Sequence, residues 1–374
     1  MRPSLASIVV STSIVVMVSL ASPDAFVASP AAAASPVDDR FTLPAPKAGR
    51  IKPLIVVVAE TAGAETSDLI VPYGVLKESG VAEVRSLATD AGRIKLTRGL
   101  SIMADETIAR FDAEEPAGAD IVIVPAQASP KDARIAKWLR AQAAKGATVI
   151  SVCEGARVLA NAGLLAGKRA VTHFSAIDKL AKAYPETNWV RDRRYLQDGS
   201  IISTTGVTAS IPMSLALVEA IGGHDVARAT AKRFGVERWS SEHRTADFVL
   251  EKSDITAAML AMSQVWTHET VEIPLDDGVD EVSVALKADA WGRTYRTTVV
   301  STHAGSAPIR SLHGLMIVPD AKPQPGRYVL TTGPTPAVAQ LDEAIGELGR
   351  RYGASAIRLA TLGMEYDPPK RAGE

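Results

Sequence analysis

The sequence predicts an α/β protein built on a parallel sheet, and two observations carry that prediction. Residues 54–59, 121–125 and 147–152 are apolar runs rich in β-branched side chains, which suits strands buried on both faces of a sheet. Segments with helical spacing, about ten to fifteen residues long, lie between these runs. Alternation of this kind is typical of βαβ units.

Local signals justify each element in turn. Helical spacing begins at Asp68 and at Asp132 and stops at Gly80 and Gly146, and glycine is a common residue just past a helix C-terminus. The sequence Gln-Asp-Gly at residues 197–199 is a turn signal between two strand-like stretches. The expected elements are strand 54–59, helix 68–78, strand 82–88, strand 121–125, helix 132–145, strand 147–152, helix 156–162, a hairpin of residues 189–196 and 200–205, and helix 208–221.

Residues 1–35 have the layout of a secretory signal peptide. Arg2 precedes an uncharged apolar run from Leu5 to Leu20, and a small-residue tract follows it. An uncleaved anchor through residues 5–21 is the alternative, because the run is only somewhat shorter than the roughly 20 residues that span a bilayer. Either interpretation predicts an exported protein, periplasmic or extracellular. Residues 36–52, rich in Pro and Ala, are expected to be a linker.

The composition argues against several classes of partner and cofactor. Lys and Arg number 41 against 42 for Asp and Glu, and aromatic residues are 5% of the chain, so neither a basic field nor a stacking platform for nucleic acid is expected. The single cysteine excludes an internal disulfide and a cysteine-rich metal site. The histidines lack metal-ligand spacing and no phosphate-binding glycine motif occurs, so we expect neither a metal nor a cofactor.

The chain shows signs of a partial internal repeat. Residues 302–305 resemble residues 89–92, and residues 314–320 resemble residues 99–105. We therefore expect an α/β module at 53–225, a connecting helical segment at 226–269, and a degenerate α/β half-module at 270–374. The second copy contains no cysteine, so it is expected to carry no site of its own.

Cys153 is the residue whose surroundings indicate chemistry. It ends a predicted buried strand and leads through Glu154-Gly155 into a predicted helix, which is the arrangement of a nucleophile elbow. Gly155 lets the helix pack back on the strand. Because a helix N-terminus favours a thiolate, the sequence predicts a lowered pKa for this thiol. A buried, unreactive cysteine is the alternative.

The stretches 147–155, 160–173 and 204–210 resemble the ThiJ/PfpI family of the class I glutamine amidotransferase-like superfamily. The resemblance covers about half the chain. It implies a flavodoxin-like α/β sandwich that is commonly dimeric. Members that are similar to this chain include isonitrile hydratases, enzymes acting on α-oxoaldehydes, and the sensor halves of AraC-type regulators.

The resemblance also implies roles for individual residues. Cys153 matches the family nucleophile, His173 matches a histidine near that thiol, and Asp68 matches an acid after the first strand, with Glu65 as its local competitor. Ser175 stands where an amidotransferase would need Glu, which argues against that activity. The residues expected to line the pocket or hold an oxyanion are Glu154, Gly155, Ala126, Gln127 and Thr208.

These observations predict an exported, cysteine-dependent hydrolase or hydratase acting on a small isonitrile or carbonyl compound. Ala126-Gln127 occupy the place where many members have a Gly pair that helps to hold an oxyanion, which favours a ligand-binding or sensor module as the alternative. A redox-protective thiol protein is a third interpretation. The expected partners are a small molecule and, by resemblance, a second copy of the chain, with membrane contact only through the N-terminal segment.

Overall fold

The computed structural model describes residues 40–367, so the predicted leader at residues 1–35 lies outside the described part of the chain. The strands are β1 (Leu54–Ala59), β2 (Glu83–Ala88), β3 (Arg93–Lys95), β4 (Ser101–Met103), β5 (Glu106–Thr107), β6 (Ile121–Val124), β7 (Thr148–Ser151), β8 (Arg169–Ala170), β9 (Asn188–Trp189), β10 (Tyr195–Asp198), β11 (Ile201–Thr204), β12 (Glu269–Pro274), β13 (Thr297–Thr302), β14 (Ile309–Arg310), β15 (Met316–Ile317) and β16 (Tyr328–Val329). The helices are α1 (Thr66–Ser79), α2 (Ile108–Glu114), α3 (Ala133–Ala144), α4 (Gly155–Asn161), α5 (Phe174–Ala183), α6 (Ser210–Gly222), α7 (His224–Phe234), α8 (Lys252–Ser263), α9 (Glu281–Gly292), α10 (Ala337–Tyr352) and α11 (Ala354–Met364).

A seven-stranded sheet in the order β10-β11-β7-β6-β1-β2-β5 forms the centre of the fold. Every neighbouring pair in it is parallel except β10 with β11. Alternate residues of β1 belong to opposite cores: Ile55 and Val57 pack on one face, and Val56 and Val58 on the other. The sequence-based expectation of an α/β fold with a parallel sheet is confirmed, and β1 is buried on both faces as its composition predicts.

The appended hairpin is shorter than predicted. Its first strand begins at Tyr195 instead of residue 189, because Asp192 adopts a left-handed conformation (φ 60°) that interrupts an extended chain. Trp189 belongs to the separate strand β9, which pairs with β8. The turn is tight, since Asp198 pairs directly with Ile201.

Residues 40–52, part of the predicted linker, lie against the domain. The Phe41 ring packs on Tyr195 with centroids 5.2 Å apart. Arg50 forms ion pairs with Glu115 at 2.6 Å and with Asp120 at 2.8 Å. Ordered packing therefore begins upstream of the position near residue 53 that the sequence indicates.

Residues 269–364, here called the C-terminal region, form a second layer of structure on the module. Strands β13, β12 and β16 make a parallel three-stranded sheet, and α9 packs between α1 and α10. Strands β14 and β15 join β4 and β3 in one four-stranded sheet. None of the helices in the described part of the chain has the length and apolar character needed to cross a membrane.

Candidate active site

Cys153 lies at the junction of β7 and α4 and is 6% exposed. Its φ is 56°, a left-handed conformation that costs a non-glycine residue about 1–2 kcal/mol. Its N–H donates to the Thr205 carbonyl (3.1 Å), and its carbonyl accepts from the Thr172 hydroxyl (3.0 Å). A Cβ at Gly155 would lie 2.1 Å from the Val124 carbonyl oxygen, so glycine is required for this helix to approach the sheet.

Asp68 lies in the first turn of α1 and is completely buried. Its Oδ2 accepts from the Ala126 N–H (3.2 Å), whereas its Oδ1 has no hydrogen-bond partner among the described residues. Burial raises the pKa of this carboxyl to about 7, although the Ala126 N–H opposes the shift. Asp68 therefore changes protonation near neutral pH and has one oxygen available to exchange a proton.

Glu65, the competitor for the acid role, is committed to other contacts. It is the N-cap of α1: its carboxylate accepts from the Asp68 N–H at 2.7 Å and pairs with Arg293 at 3.2 Å. Burial, followed by the negative charges of Asp289 and Asp68, raises its pKa well above the ordinary value. The geometry thus assigns the cap to Glu65 and leaves the unpartnered oxygen to Asp68.

Arg293 and Asp289, both from the end of α9, complete this buried cluster and were missed by the sequence analysis. Arg293 Nε donates to Asp289 Oδ1 at 2.8 Å, and Arg98 approaches the same carboxylate at 3.5 Å. Burial would raise the pKa of Asp289, but the charges of Arg293 and Arg98 outweigh it and hold that pKa low. The available signal was the oppositely charged i, i+4 pair of Asp289 and Arg293 at the end of a largely apolar helix.

The expectation of a lowered thiol pKa is wrong in direction. Burial raises the pKa of Cys153 well above its ordinary value, and the charges of Asp68, Glu154 and Glu65 raise it further. Arg293 is the charge that opposes them. At neutral pH the cysteine is a thiol, and its activation requires a nearby group to take the proton.

His173 does not meet the thiol through either ring nitrogen. It is the N-cap of α5, where Nδ1 accepts from the Ser175 N–H (3.3 Å) and lies 2.8 Å from the Ser175 hydroxyl. Nε2 faces the Gly363 carbonyl at 3.2 Å, which assigns the proton to Nε2. Both ring nitrogens of His173 are therefore used in positioning α5 and the Gly363 segment, and the family role that the resemblance implies for this histidine stays a prediction.

Two of the residues expected to line the pocket or hold an oxyanion, Ala126 and Gln127, make other contacts. The Ala126 N–H is used by Asp68. The Gln127 side chain accepts from the Glu60 N–H at 2.7 Å and donates to the Val58 carbonyl at 3.0 Å. Gln127 thus braces the end of β1 and does not join the pocket.

The chain near residue 365 closes over the site. The Thr208 hydroxyl donates to the Glu365 carbonyl at 2.8 Å, so Thr208 holds this segment in place. The Glu365 carboxylate accepts from the Gly206 N–H at 2.6 Å and from the Phe174 N–H. Glu365 is 5% exposed and was also missed by the sequence analysis.

A groove of about 650 Å³ opens beside the elbow. Glu154 lines it immediately after Cys153, and Phe174 lines it immediately after His173. Phe248 adds an aromatic wall, and Arg157 holds Glu154 through an ion pair of 2.5 Å. The groove offers a small molecule both apolar and charged contacts beside Glu154, the residue that follows the cysteine.

One group among the described residues could hold a metal ion: ligand atoms of Asp280, Glu281 and His313 lie within 4.8 Å of one another. Both His313 nitrogens already face carboxylates, Glu281 at 2.8 Å and Glu78 at 3.0 Å. The two carboxylates outweigh burial and raise the pKa of His313. The cluster is therefore satisfied as an imidazolium between two carboxylates, at the opposite end of α1 from Asp68.

Comparison with known proteins identifies relatives over the module. A family model described as the DJ-1/PfpI family matches residues 54–220. Isonitrile hydratase from Pseudomonas putida is 34% identical over 167 residues, covering 43% of this chain and 69% of that protein. HTH-type transcriptional regulator CdhR from Pseudomonas aeruginosa is 32% identical over 155 residues, 41% of this chain and 44% of that protein. Deglycase PfpI from Pyrococcus furiosus is 30% identical over 144 residues, 37% of this chain and 82% of that protein.

Proposed function

Because this chain belongs to the DJ-1/PfpI family, we propose that it is an exported enzyme whose Cys153 thiol adds to the electrophilic carbon of a small molecule. Family membership confirms the resemblance to the ThiJ/PfpI family drawn from the sequence. Relatives named as an isonitrile hydratase and as a deglycase support an enzyme, and the substrate class is a small isonitrile or carbonyl compound.

The unpartnered Asp68 Oδ1 is the observation that carries this proposal. Asp68 is a buried carboxyl with a pKa of about 7, and its charge raises the pKa of the Cys153 thiol; such a group is matched to take the thiol proton when substrate arrives. Burial of such an oxygen without a partner is costly in a folded protein. A role in proton transfer explains why it is retained.

For an isonitrile the steps balance as a hydration. The sulfur bonds to the terminal carbon while the thiol proton passes to Asp68, which returns it to that carbon and leaves a thioimidate on Cys153. Water then adds to the same carbon, the carbon–sulfur bond breaks, and the thiol regains a proton. The product is an N-substituted formamide, and no oxidant or reductant is consumed.

A ligand-binding sensor is the second candidate, and a specific observation favours it. The Ala126 N–H donates to Asp68, so this amide is not available to stabilise an oxyanion. The regulator CdhR is also a relative. A redox-protective role is weaker, because a sulfenic acid at Cys153 would need a thiol from another molecule to be resolved.

Turnover assays on the purified protein distinguish these candidates. Small alkyl isonitriles and α-oxoaldehydes are incubated with the wild type, with Cys153→Ser and with Asp68→Asn, and the products are measured by mass spectrometry. Formamide or hydroxy acid formed by the wild type, and far more slowly by both variants, supports the enzyme, whereas saturable binding without product supports the sensor.

Export is the part of the proposal that rests on the apolar run from Leu5 to Leu20. Fractionation of cells that express the full chain checks it: exported protein appears in the envelope or medium fraction. Full-length protein confined to the cytoplasm would contradict export. The homodimer implied by the resemblance remains a prediction.

A further inference from the structure

The four-stranded sheet joins the module to the C-terminal region through two strands that pair with each other. Strand β4 pairs antiparallel with β15, so that Ile102 lies opposite Ile317 and Met103 lies opposite Met316. On the other side of Ile102, the Val318 N–H donates to the Ser101 carbonyl at 2.8 Å. Ile102 and Ile317 therefore occupy the centre of a symmetric pairing.

The elements on the two sides of this centre correspond in order, and two pairs of them begin at the same spacing. Strand β1 begins at Leu54 and β12 at Glu269, and α1 begins at Thr66 and α9 at Glu281; each pair is 215 positions apart. The neighbours also correspond, because β1 lies between β2 and β6 as β12 lies between β13 and β16.

Individual hydrogen bonds repeat at the same spacing of 215 positions. The Leu96 N–H to Leu100 O bond (2.8 Å) matches the Ser311 N–H to Leu315 O bond (2.9 Å). The Arg98 N–H to Thr66 Oγ1 bond (3.1 Å) matches the His313 N–H to Glu281 Oε2 bond (3.4 Å). The Asp105 N–H to Ser86 O bond (3.0 Å) matches the Asp320 N–H to Ser301 O bond (2.9 Å). A contact between two parts in which each contributes the same patch is the isologous contact of a twofold dimer.

We infer that residues 269–320 are a partial copy of residues 54–105 that takes the place of a second subunit within one chain and completes the cysteine site by contributing Arg293. The inference rests on the proposed function only in treating Cys153 as the reacting group. Because the copy covers the α1 and β4 face of the module, a second chain cannot use that face, and any dimer must form elsewhere.

Arg293 acts as a positioning residue for the thiol and its acid. Its guanidinium pairs with Glu65, and Glu65 in turn caps the helix turn that holds Asp68. Its side chain also packs on Gly363, where an added Cβ would lie 3.0 Å from Arg293 Cδ, and the Gly363 carbonyl faces His173. One arginine thus contacts both sides of the site, and it is the positive charge that offsets the carboxylates around Cys153.

The lone cysteine makes the site directly measurable, because every alkylated thiol is Cys153. Iodoacetamide alkylation is followed by intact mass against pH for the wild type, Arg293→Gln, Arg293→Lys and the exposed control Arg350→Gln. Loss of the positive charge makes the thiolate rarer, so Arg293→Gln is expected to react about tenfold more slowly at a given pH, corresponding to one pKa unit. Arg293→Lys is expected to remain within about threefold of the wild type, because it keeps the charge.

A rate–pH curve for Arg293→Gln that coincides with the curve of Arg350→Gln would overturn the role of Arg293. If Arg293→Gln does not fold, Arg293→Lys is used instead. A rate–pH curve for Arg293→Lys that is displaced from the wild-type curve by about one pH unit would also overturn the role of the Arg293 charge. Neither readout depends on turnover, so a protein without hydratase activity still tests the inference.

The internal copy is tested by cross-linking in the full chain. Ile102→Cys and Ile317→Cys are combined with Cys153→Ser, since directly opposed residues of an antiparallel pair are close enough for a disulfide. We expect oxidation to give a monomer that has lost both thiols. Disulfide-linked dimers, or two thiols that stay reduced under mild oxidation, would contradict an isologous contact within one chain.

Discussion

The two ends of the α1–α9 contact have matching backbones and different side chains. At one end Arg293 pairs with Glu65 and Asp289 beside Cys153; at the other, His313 lies between Glu78 and Glu281. Glu78 and Arg293 occupy positions 215 apart, so equivalent places in the two helices carry opposite charges. The difference teaches that the pairing of helices is structural, whereas the proposed chemistry is confined to the end where the elbow adds Cys153.

Removing the nucleophile should separate the two ends most clearly. Cys153→Ser is expected to lower turnover by at least about a thousandfold, because no other described group at this site can replace a thiol. Product formation by mass spectrometry measures the effect. The matched variant His313→Gln alters the other end and should leave turnover unchanged; equal losses in both variants would show that the ends are not functionally distinct.

Changing the acid should reduce turnover less and remove its pH dependence. Asp68 has a pKa of about 7, so its carboxylate form grows as the pH rises through 7, and wild-type turnover should rise across the same range. Asp68→Asn is expected to lower the rate by about a hundredfold and to abolish that rise. A rate that still climbs through pH 7 in Asp68→Asn would assign the proton transfer to another group.

The His313 end should affect stability instead. Because the pKa of His313 is raised in the folded protein, its protonated ring stabilises the fold. This contribution is complete below the ordinary histidine pKa near 6.5 and is lost as the pH rises through the raised pKa of the folded state. His313→Gln is therefore expected to cost about 1–3 kcal/mol at pH 5 and less at pH 9. Urea unfolding at both pH values checks this, and a pH-independent loss would mean that charge is not what His313 supplies.

The smallest effect is expected at the segment that closes the site. Glu365→Ala removes the acceptor of the Gly206 and Phe174 N–H groups and loosens the cover over Cys153. Alkylation at fixed pH should accelerate by about threefold, with a loss of stability of about 1–2 kcal/mol. Unchanged alkylation in a demonstrably less stable variant would show that this segment does not limit access to the thiol.

Local sequence patterns were sufficient for the central strands and for the elbow. Strands β1, β6 and β7 are β-branched runs, and Gly155 follows Cys153 because a Cβ would collide with Val124. The hairpin was misplaced because nothing in the sequence near Asp192 signals its left-handed backbone.

The electrostatics of the site could not be predicted in the same way. Arg293 contacts Glu65, and Glu365 contacts Gly206, from distant parts of the chain, so their positions depend on how the C-terminal region packs. The helix N-terminus alone suggested a lowered thiol pKa, whereas burial and the carboxylates of α1 reverse the direction. The contact of His173 with Gly363 could not be predicted for the same reason, since the two residues are remote in sequence.

The covalent step tests the account most directly. The wild type is mixed with a small alkyl isonitrile, quenched in acid within seconds, and analysed by intact mass and peptide mapping. The account predicts an adduct equal in mass to the isonitrile, located on Cys153 and replaced by formamide product as the reaction proceeds. Formamide released at the wild-type rate by Cys153→Ser, or an adduct located on another residue, would contradict it.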